Sequence, residues 1–344
     1  MDVDGETVVD LWGGYRDEER TKPWTRDTIV NVWSTTKTIT ALAMLTLAEQ
    51  GRLDFDAPVA EYWPEFAANG KEGVLVRHLM AHTSGVAGWD PPFTVEDMYD
   101  WDTSTARLAA QAPWWEPGTA SGYHAINQGH LLGEVLRRID GRGLKQYVAE
   151  ELAGPLGADF QIGAKGADWD RIAPVVPPPP LPIDMASLDP ASPAFRCFTG
   201  PAVDASKANT AEWRRADIGA ANGHSNAKGV LDVMRVISLG GSAGGVQLLS
   251  EKTIDRIFDV QIDDVDLVLG VPFRRGIGFA LSGSGAVPYV PQRRFCFWGG
   301  WGGSMIMMDV DQRVTFSYVM NRMGAGIVGS PRSEAYFLAA FAAL

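Results

Sequence analysis

The sequence predicts an α/β protein in which an antiparallel sheet flanked by helices is built from both ends of the chain. A mainly helical region is inserted between the two ends. Three observations predict this. Short alternating or apolar runs bounded by Gly, Asp and Asn occur near the start, at Val8 to Trp12, and again from about residue 275 onward. Runs with helical spacing fill the middle. The 344 residues also exceed the size at which one hydrophobic core usually stops growing, so two lobes are expected. The expected division is a discontinuous α/β domain, 1–55 with 225–344, and a helical domain over 56–224.

The elements follow in order. Asp4-Gly5 is a hairpin signal, with Val8–Trp12 read as a strand after it and only Met1–Val3 before it. A single edge strand is the equal alternative. Residues 38–50 form an apolar helix with few polar breaks, buried on most sides and closed by Gly51. Residues 56–66 read as a Pro-punctuated turn region, and Val76 to Ala81 as a short helix ending in "HTSG". Residues 86–122, rich in Trp, Pro and Gly, read as a loop with one helix near 104–111. Asn127 to Ile139 is a helix stopped at Gly141, followed by helix over Lys145–Leu152. The Pro-rich stretch 174–193, with four successive prolines at 177–180, excludes helix and central strand and reads as a surface excursion. Asn226 caps a helix over 227–239. The runs "GIGFALSG", "RRFCFWGG", "SMIMMDV" and "RVTFSYVMN" are strands, with a turn at Asp309-Val310-Asp311. "EAYFLAAFAAL" is a final helix.

Composition excludes some functions. A net charge of −12 argues against a nucleic-acid binder, which would show a basic face. The acidic runs 17–19 and 263–266 read as solvated faces. No run is long and apolar enough for a membrane span, and the first residues carry no signal-peptide pattern. Cys197 and Cys296 have no metal-like spacing and read as buried thiols of a reducing compartment. A cytoplasmic protein is expected.

Two serines invite a nucleophile reading. Ser242 sits in Gly240-Gly241-Ser242-Ala243-Gly244, which matches G-x-S-x-G. That motif works only as a strand–turn–helix elbow with a later histidine. Here a helix precedes it, and none of His78, His82, His124, His130 and His224 lies beyond it. Ser34 is the stronger candidate. At a helix start, unpaired N–H groups and the positive dipole end favour developing negative charge. Lys37, three residues on, shares its helix face. A lysine held against an apolar helix is desolvated, and so can act as a base without histidine. The plainer alternative is an N-cap serine beside a solvated lysine. Company favours chemistry: Tyr123 lies in a Gly-flanked turn just before a helix, and Trp298-Gly299-Gly300-Trp301 lies at a strand whose glycines allow close backbone approach.

This set resembles the serine β-lactamase and penicillin-binding-protein superfamily. Within it the chain looks most like the family VIII carboxylesterases, relatives of class C β-lactamases. The stretches "LMAHTSG" (79–85), "WEPGTASGYH" (115–124), "NGHSNAKG" (222–229) and "GGWGGSMIMMDVDQRVTFSYVMNRM" (299–323) extend the likeness over nearly the whole chain. The resemblance implies a serine β-lactamase-like fold. It implies Ser34 as acylated nucleophile, Lys37 as proton acceptor and Tyr123 as the second member of the base pair, activating the deacylating water. Trp298, Gly299 and Gly300 would take the place of the Lys-Thr-Gly strand that lines the substrate. The backbone N–H groups of Ser34 and Trp301 would form the oxyanion hole. No metal or cofactor is implied.

Two departures bear on specificity. Tyr123-His124-Ala125 replaces Tyr-x-Asn, and Trp298 replaces the lysine that helps hold a substrate carboxylate. Arg293 and Arg294 are the candidates to compensate. The expectation is a short-chain carboxylesterase acting on small ester molecules, with weak β-lactamase side activity. A D-amino-acid amidase or peptidase, or an acyltransferase, on the same scaffold is the alternative. An inactive penicillin-binding-like module would show a broken Ser/Lys/Tyr set, and all three are here. His82 is read as structural, and His124 as a packing or pocket-tuning residue. Trp89, Trp114 and Trp115 are candidates for an apolar pocket or for core. The family usually has a further helix and strand ahead of the first hairpin, which leaves a sheet edge for pairing with a second copy.

Overall fold

The computed structural model describes residues 1–180 and 187–344. Part of the Pro-rich stretch, 181–186, lies outside the described residues.

An eight-stranded antiparallel sheet organises the molecule. Its order is Glu6–Thr7, Asp2–Val3, Val314–Tyr318, Met305–Asp309, Phe295–Gly299, Ala280–Leu281, Pro272–Arg275 and Ile262–Val265. The first hairpin turns on Asp4 and Gly5, both with positive φ, +50° and +88°. That pair of values is the turn whose twist matches antiparallel strands, and glycine enters it without steric cost. Val8–Trp12 is not a strand. Pairing stops at Met1, whose carbonyl takes the N–H groups of both Val8 and Val9, and Leu11 and Trp12 are exposed.

The central strands are apolar on both faces because both faces are covered. Cys296, Ile306 and Met308 join one core, shared with Val230, Val233 and Ile237 of the helix Ala227–Ser238. Phe295, Phe297, Met305 and Met307 alternate into a second core with Phe337 of the helix Pro331–Phe341. Asn226 caps the first of these helices by accepting the Gly229 N–H at 2.8 Å.

The helix Thr36–Glu49 is buried from Thr36 to Leu47 and packs between the sheet-side helix Ala227–Ser238 and the helix Gln128–Asp140. Gly51 and Gly141, with φ of +68° and +88°, close the helices they follow. Several elements differ from expectation. The 86–122 stretch carries two helices, Val95–Tyr99 and Trp101–Ala110, each begun by a side-chain cap, Thr94 and Asp100. Within 56–66 lies a short helix, Val59–Tyr62, and a 3-10 turn from Pro64. Pro193 opens a helix, Pro193–Thr199, at the position where its missing N–H costs nothing. Strands begin before residue 275, at Ile262–Val265 and Pro272–Arg275. A second small sheet joins Val30–Asn31, Gly223–Ser225 and Phe160–Ile162. Among the described residues no helix is long and apolar enough to cross a membrane.

Candidate active site

The chain turns sharply from Val30–Asn31 into the helix Thr36–Glu49, and Ser34 sits on that turn. Trp33 adopts φ +50°, a region that costs a side-chain-bearing residue of order 1–3 kcal/mol. Hydrogen bonds hold it there. Thr36 Oγ1 donates to Trp33 O at 2.6 Å and accepts from Gly223 N at 2.8 Å. Ser304 Oγ donates to Val32 O at 2.8 Å and accepts from Thr35 Oγ1 at 3.0 Å. The Ser34 turn is thus tied to both sheets.

Three predicted residues converge on one oxygen. Tyr123 Oη donates to Ser34 Oγ at 2.6 Å, and Lys37 Nζ lies 3.1 Å from the same atom. Lys37 Nζ also donates to Ala125 O at 2.6 Å and Ala220 O at 2.9 Å. It has no carboxylate among these partners. Burial therefore pushes its pKa well below that of a free lysine, and the Arg275 charge adds to the effect. Tyr123 shifts the opposite way. Burial raises its phenol pKa, against the pull of the Ser34 hydrogen bond, so the hydroxyl keeps its proton at neutral pH.

Trp298 lies in the strand Phe295–Gly299, buried, with its ring centre 5.4 Å from that of Tyr123 and 5.8 Å from that of His82. Gly300 follows the strand and abuts the Ser34 turn. A Cβ there would lie 2.4 Å from Val32 O and 2.2 Å from Ser304 Oγ, so only glycine fits. That approach brings Trp301 against Trp33, with ring centres 5.0 Å apart.

Other expectations resolve into structure. His82 Nδ1 accepts the His124 N–H at 3.1 Å, and its carbonyl accepts the Gly122 N–H, so it grips the Tyr123 turn. His124 Nδ1 meets Gly122 O and therefore carries the ring proton, leaving Nε2 to accept from Ser84 Oγ at 2.6 Å. Burial keeps both rings neutral. Trp89 is core: fully buried, stacked on Phe93, its Nε1 donating to Ser104 O. Trp114 and Trp115 are half-buried and donate to Asp90 and to Ala120 O. Arg293 and Arg294 do not compensate for the missing lysine. They pair with Asp309 and Asp255 at the far end of the Trp298 strand. Ser242 lies in the hairpin strand Ser242–Ala243, away from any elbow geometry.

The reading of 263–266 as a solvated face is corrected at one residue. Asp263 and Asp264 are exposed, but Asp266 is fully buried and accepts the Tyr123 N–H at 3.0 Å. No local pattern separates it from its neighbours. Its partners, Arg275, Ser121 and Tyr123, come from elsewhere in the chain. The carbonyls of Ala125 and Ala220 were likewise invisible, because backbone acceptors carry no sequence mark.

A cavity of about 670 Å³ lies away from this site. It lies between the segment 7–26 and the ends of the Val314–Tyr318 strand and the final helix.

The chain is similar to known proteins over nearly its whole length. The Beta-lactamase family profile matches residues 3–340. The Esterase/beta-lactamase LipL of Mycobacterium tuberculosis is 33% identical over 95% of this chain and 77% of its own length. A crystal structure of a family VIII carboxylesterase superposes with a TM-score of 0.93 at 39% identity, covering 99% of this chain and 90% of that one. A penicillin-binding protein homologue from Caulobacter crescentus superposes with a TM-score of 0.91 at 36% identity, covering 100% and 91%. The chain belongs to the beta-lactamase family, and within it sides with the family VIII carboxylesterases.

Proposed function

We propose that this protein is a serine carboxylesterase that hydrolyses short-chain esters through an acyl-enzyme on Ser34. One observation carries the reading: Ser34 Oγ lies between a desolvated amine and a protonated phenol, 3.1 Å from Lys37 Nζ and 2.6 Å from Tyr123 Oη. As a neutral amine, Lys37 spends its two N–H bonds on Ala125 O and Ala220 O. Its lone pair is then left for the Ser34 proton.

Ser34 Oγ adds to the ester carbonyl and its proton passes to Lys37. The Ser34 and Trp301 amides hold the resulting oxyanion, the role such donors play in acyl transfer. Tyr123 gives its proton to the departing alkoxide and regains one from the Lys37 ammonium. Water then repeats the addition on the acyl-enzyme, with Tyr123 and Lys37 moving its proton, and releases the acid.

Neutral substrates fit best. Trp298 offers an indole where a lysine would meet a carboxylate, and Arg293 and Arg294 are engaged elsewhere. Arg275, behind the Trp298 ring, is buried and paired with Asp266. Trp298, Gly299 and Gly300 would line the substrate. β-Lactams that carry a carboxylate are then poor substrates, cleaved weakly by the same acyl chemistry. The test is turnover of a chromogenic butyrate ester beside a chromogenic cephalosporin, with and without an added alcohol. Fast ester release and slow lactam opening are expected. Faster acyl transfer to the alcohol than to water would move the reading to an acyltransferase.

The same reading divides the chain into an α/β domain, 1–55 with 225–344, and a helical domain over 56–224. It puts the enzyme in the cytoplasm, in keeping with two buried free cysteines. The exposed edge strand Glu6–Thr7 is its contact with a second copy.

A further inference from the structure

Beneath the Tyr123 turn lies a buried ion pair that the steps above do not use. Asp266 Oδ2 accepts from Arg275 Nη2 at 2.8 Å and from Ser121 Oγ at 2.7 Å. Its Oδ1 accepts the backbone N–H groups of Tyr123, Val268 and Leu269, each at 3.0 Å. Arg275 Nε donates to Ser121 Oγ at 2.9 Å. The guanidinium also lies 4.9 Å from the centre of the Trp298 ring and 4.5 Å from that of Phe273. Both charged residues are at most 1% exposed.

Stability alone does not account for such a pair. Desolvating two charges costs several kcal/mol per ion, and an apolar pair of similar volume often does as well or better. The pair has instead a geometric consequence. Tyr123 comes from the chain before the helix Gln128–Asp140, and Trp298 comes from the sheet. One carboxylate grips the first through its backbone, and the paired guanidinium backs the second.

We propose that Asp266, Arg275 and Ser121 form a positioning unit that holds Tyr123 over Ser34 and locks it to the Trp298 strand. This rests on the reading of Ser34 as the nucleophile. The three residues act through Tyr123 and not on the substrate.

The unit also sets the local charge. The titratable groups that bear on Lys37 and Tyr123 are Arg275, His82, His124 and Cys197, with Asp266 behind them. Burial holds both histidines neutral and pushes the Cys197 thiol up to about 12. Arg275 is thus the cation that lowers the Lys37 pKa, and Asp266 is the carboxylate paired with it. Removing the Asp266 charge strengthens that lowering and moves the acid limb of kcat/KM to lower pH. Removing the Arg275 charge moves it to higher pH.

The experiment compares the wild type with Asp266→Asn, Arg275→Gln, Arg275→Lys and the double variant Asp266→Ala/Arg275→Met. It records kcat and KM on a short-chain ester, pH profiles, and labelling of Ser34 by a fluorophosphonate. The double variant, which buries no charge, is expected to fold and to lose kcat by about tenfold or more, with KM within about twofold, as misplacement of a reacting group does. The single neutral variants are expected to shift the acid limb in opposite directions by about half a pH unit or more. Arg275→Lys is expected to keep the wild-type limb. A double variant with wild-type kcat overturns the proposal, as does an acid limb that stays put in both folded single variants. If the single variants do not fold, kcat of the double variant decides alone. A wild type that takes no label at Ser34 removes the nucleophile reading and this proposal with it. A labelled wild type with an indifferent double variant removes only this one.

Discussion

Ser34 and Ser242 each sit in a short pattern associated with serine nucleophiles, and each adjoins a helix. Ser34 is 7% exposed, with Lys37 and Tyr123 on its hydroxyl, on a turn stitched to two sheets. Ser242 is half-buried in a two-residue strand, paired across a hairpin with Gln247 and flanked by glycines of positive φ. The difference is environment. Around Ser34, burial shifts an amine and a phenol in opposite directions, which favours the neutral form of both. A motif match describes spacing along the chain. Nucleophilicity depends on which groups from distant segments reach the oxygen.

The contrast between the two serines breaks most readily at the serines themselves. Ser34→Ala is expected to lower ester turnover by at least about 10³-fold, the scale on which removing a nucleophile acts. Ser242→Ala is expected to leave turnover within about twofold, as changes away from a site usually do. Steady-state kinetics on both variants checks the pair, and equal losses would erase the distinction.

Lys37→Met comes next, with an expected loss of about 10²- to 10⁴-fold, the range of general-base catalysis. The sign of the pH dependence follows from its direction of shift. In the proposed mechanism Lys37 works as the neutral amine, and burial lowers its pKa, so activity is expected to persist well below the pKa of a free lysine and to fall as pH drops through the lowered value. The raised pKa of Tyr123 keeps its proton available into alkaline solution. A rate that climbs only near the pKa of a free lysine would contradict the desolvated base.

Tyr123→Phe keeps the ring and removes the proton, and is expected to cost about 10²-fold, mainly in kcat. A burst of released alcohol followed by slow turnover would assign the larger part of that loss to deacylation.

Gly300→Ala sharpens the contrast from the strand side. Its Cβ would meet Val32 O and Ser304 Oγ, and that overpacking is expected to cost about 1–3 kcal/mol in a denaturant titration. Activity should fall further than stability, because the Trp301 amide moves with the turn. A variant with unchanged activity would remove Trp301 from the oxyanion hole.

Much of this was legible in the sequence, for physical reasons. Thr36–Glu49 is buried from Thr36 to Leu47 and reads as an apolar helix with few polar breaks. The alternating strands 295–318 show their pattern because their two faces enter two separate cores. Ser34, Lys37 and Tyr123 carry side chains with chemistry of their own. Asp266 and Arg275 did not stand out. Their meaning lies in a pairing that closes nine residues apart and reaches across the fold to Ser121 and Tyr123. Val8–Trp12 misled because alternation alone does not make a strand: Val8 and Val9 both donate to the one carbonyl of Met1, and Leu11 and Trp12 are exposed. The strand Ile262–Val265 was missed because charged, exposed side chains mask the period of a sheet edge, and Pro272–Arg275 because its inward positions pair an apolar Phe273 with a charged, buried Arg275.

The most direct test of the central claim is intact-mass spectrometry after mixing with a fluorophosphonate, on the wild type, Ser34→Ala and Ser242→Ala. The account predicts one adduct on the wild type and on Ser242→Ala, mapping to Ser34, and none on Ser34→Ala. An adduct that survives Ser34→Ala, or one that maps to Ser242, would contradict it.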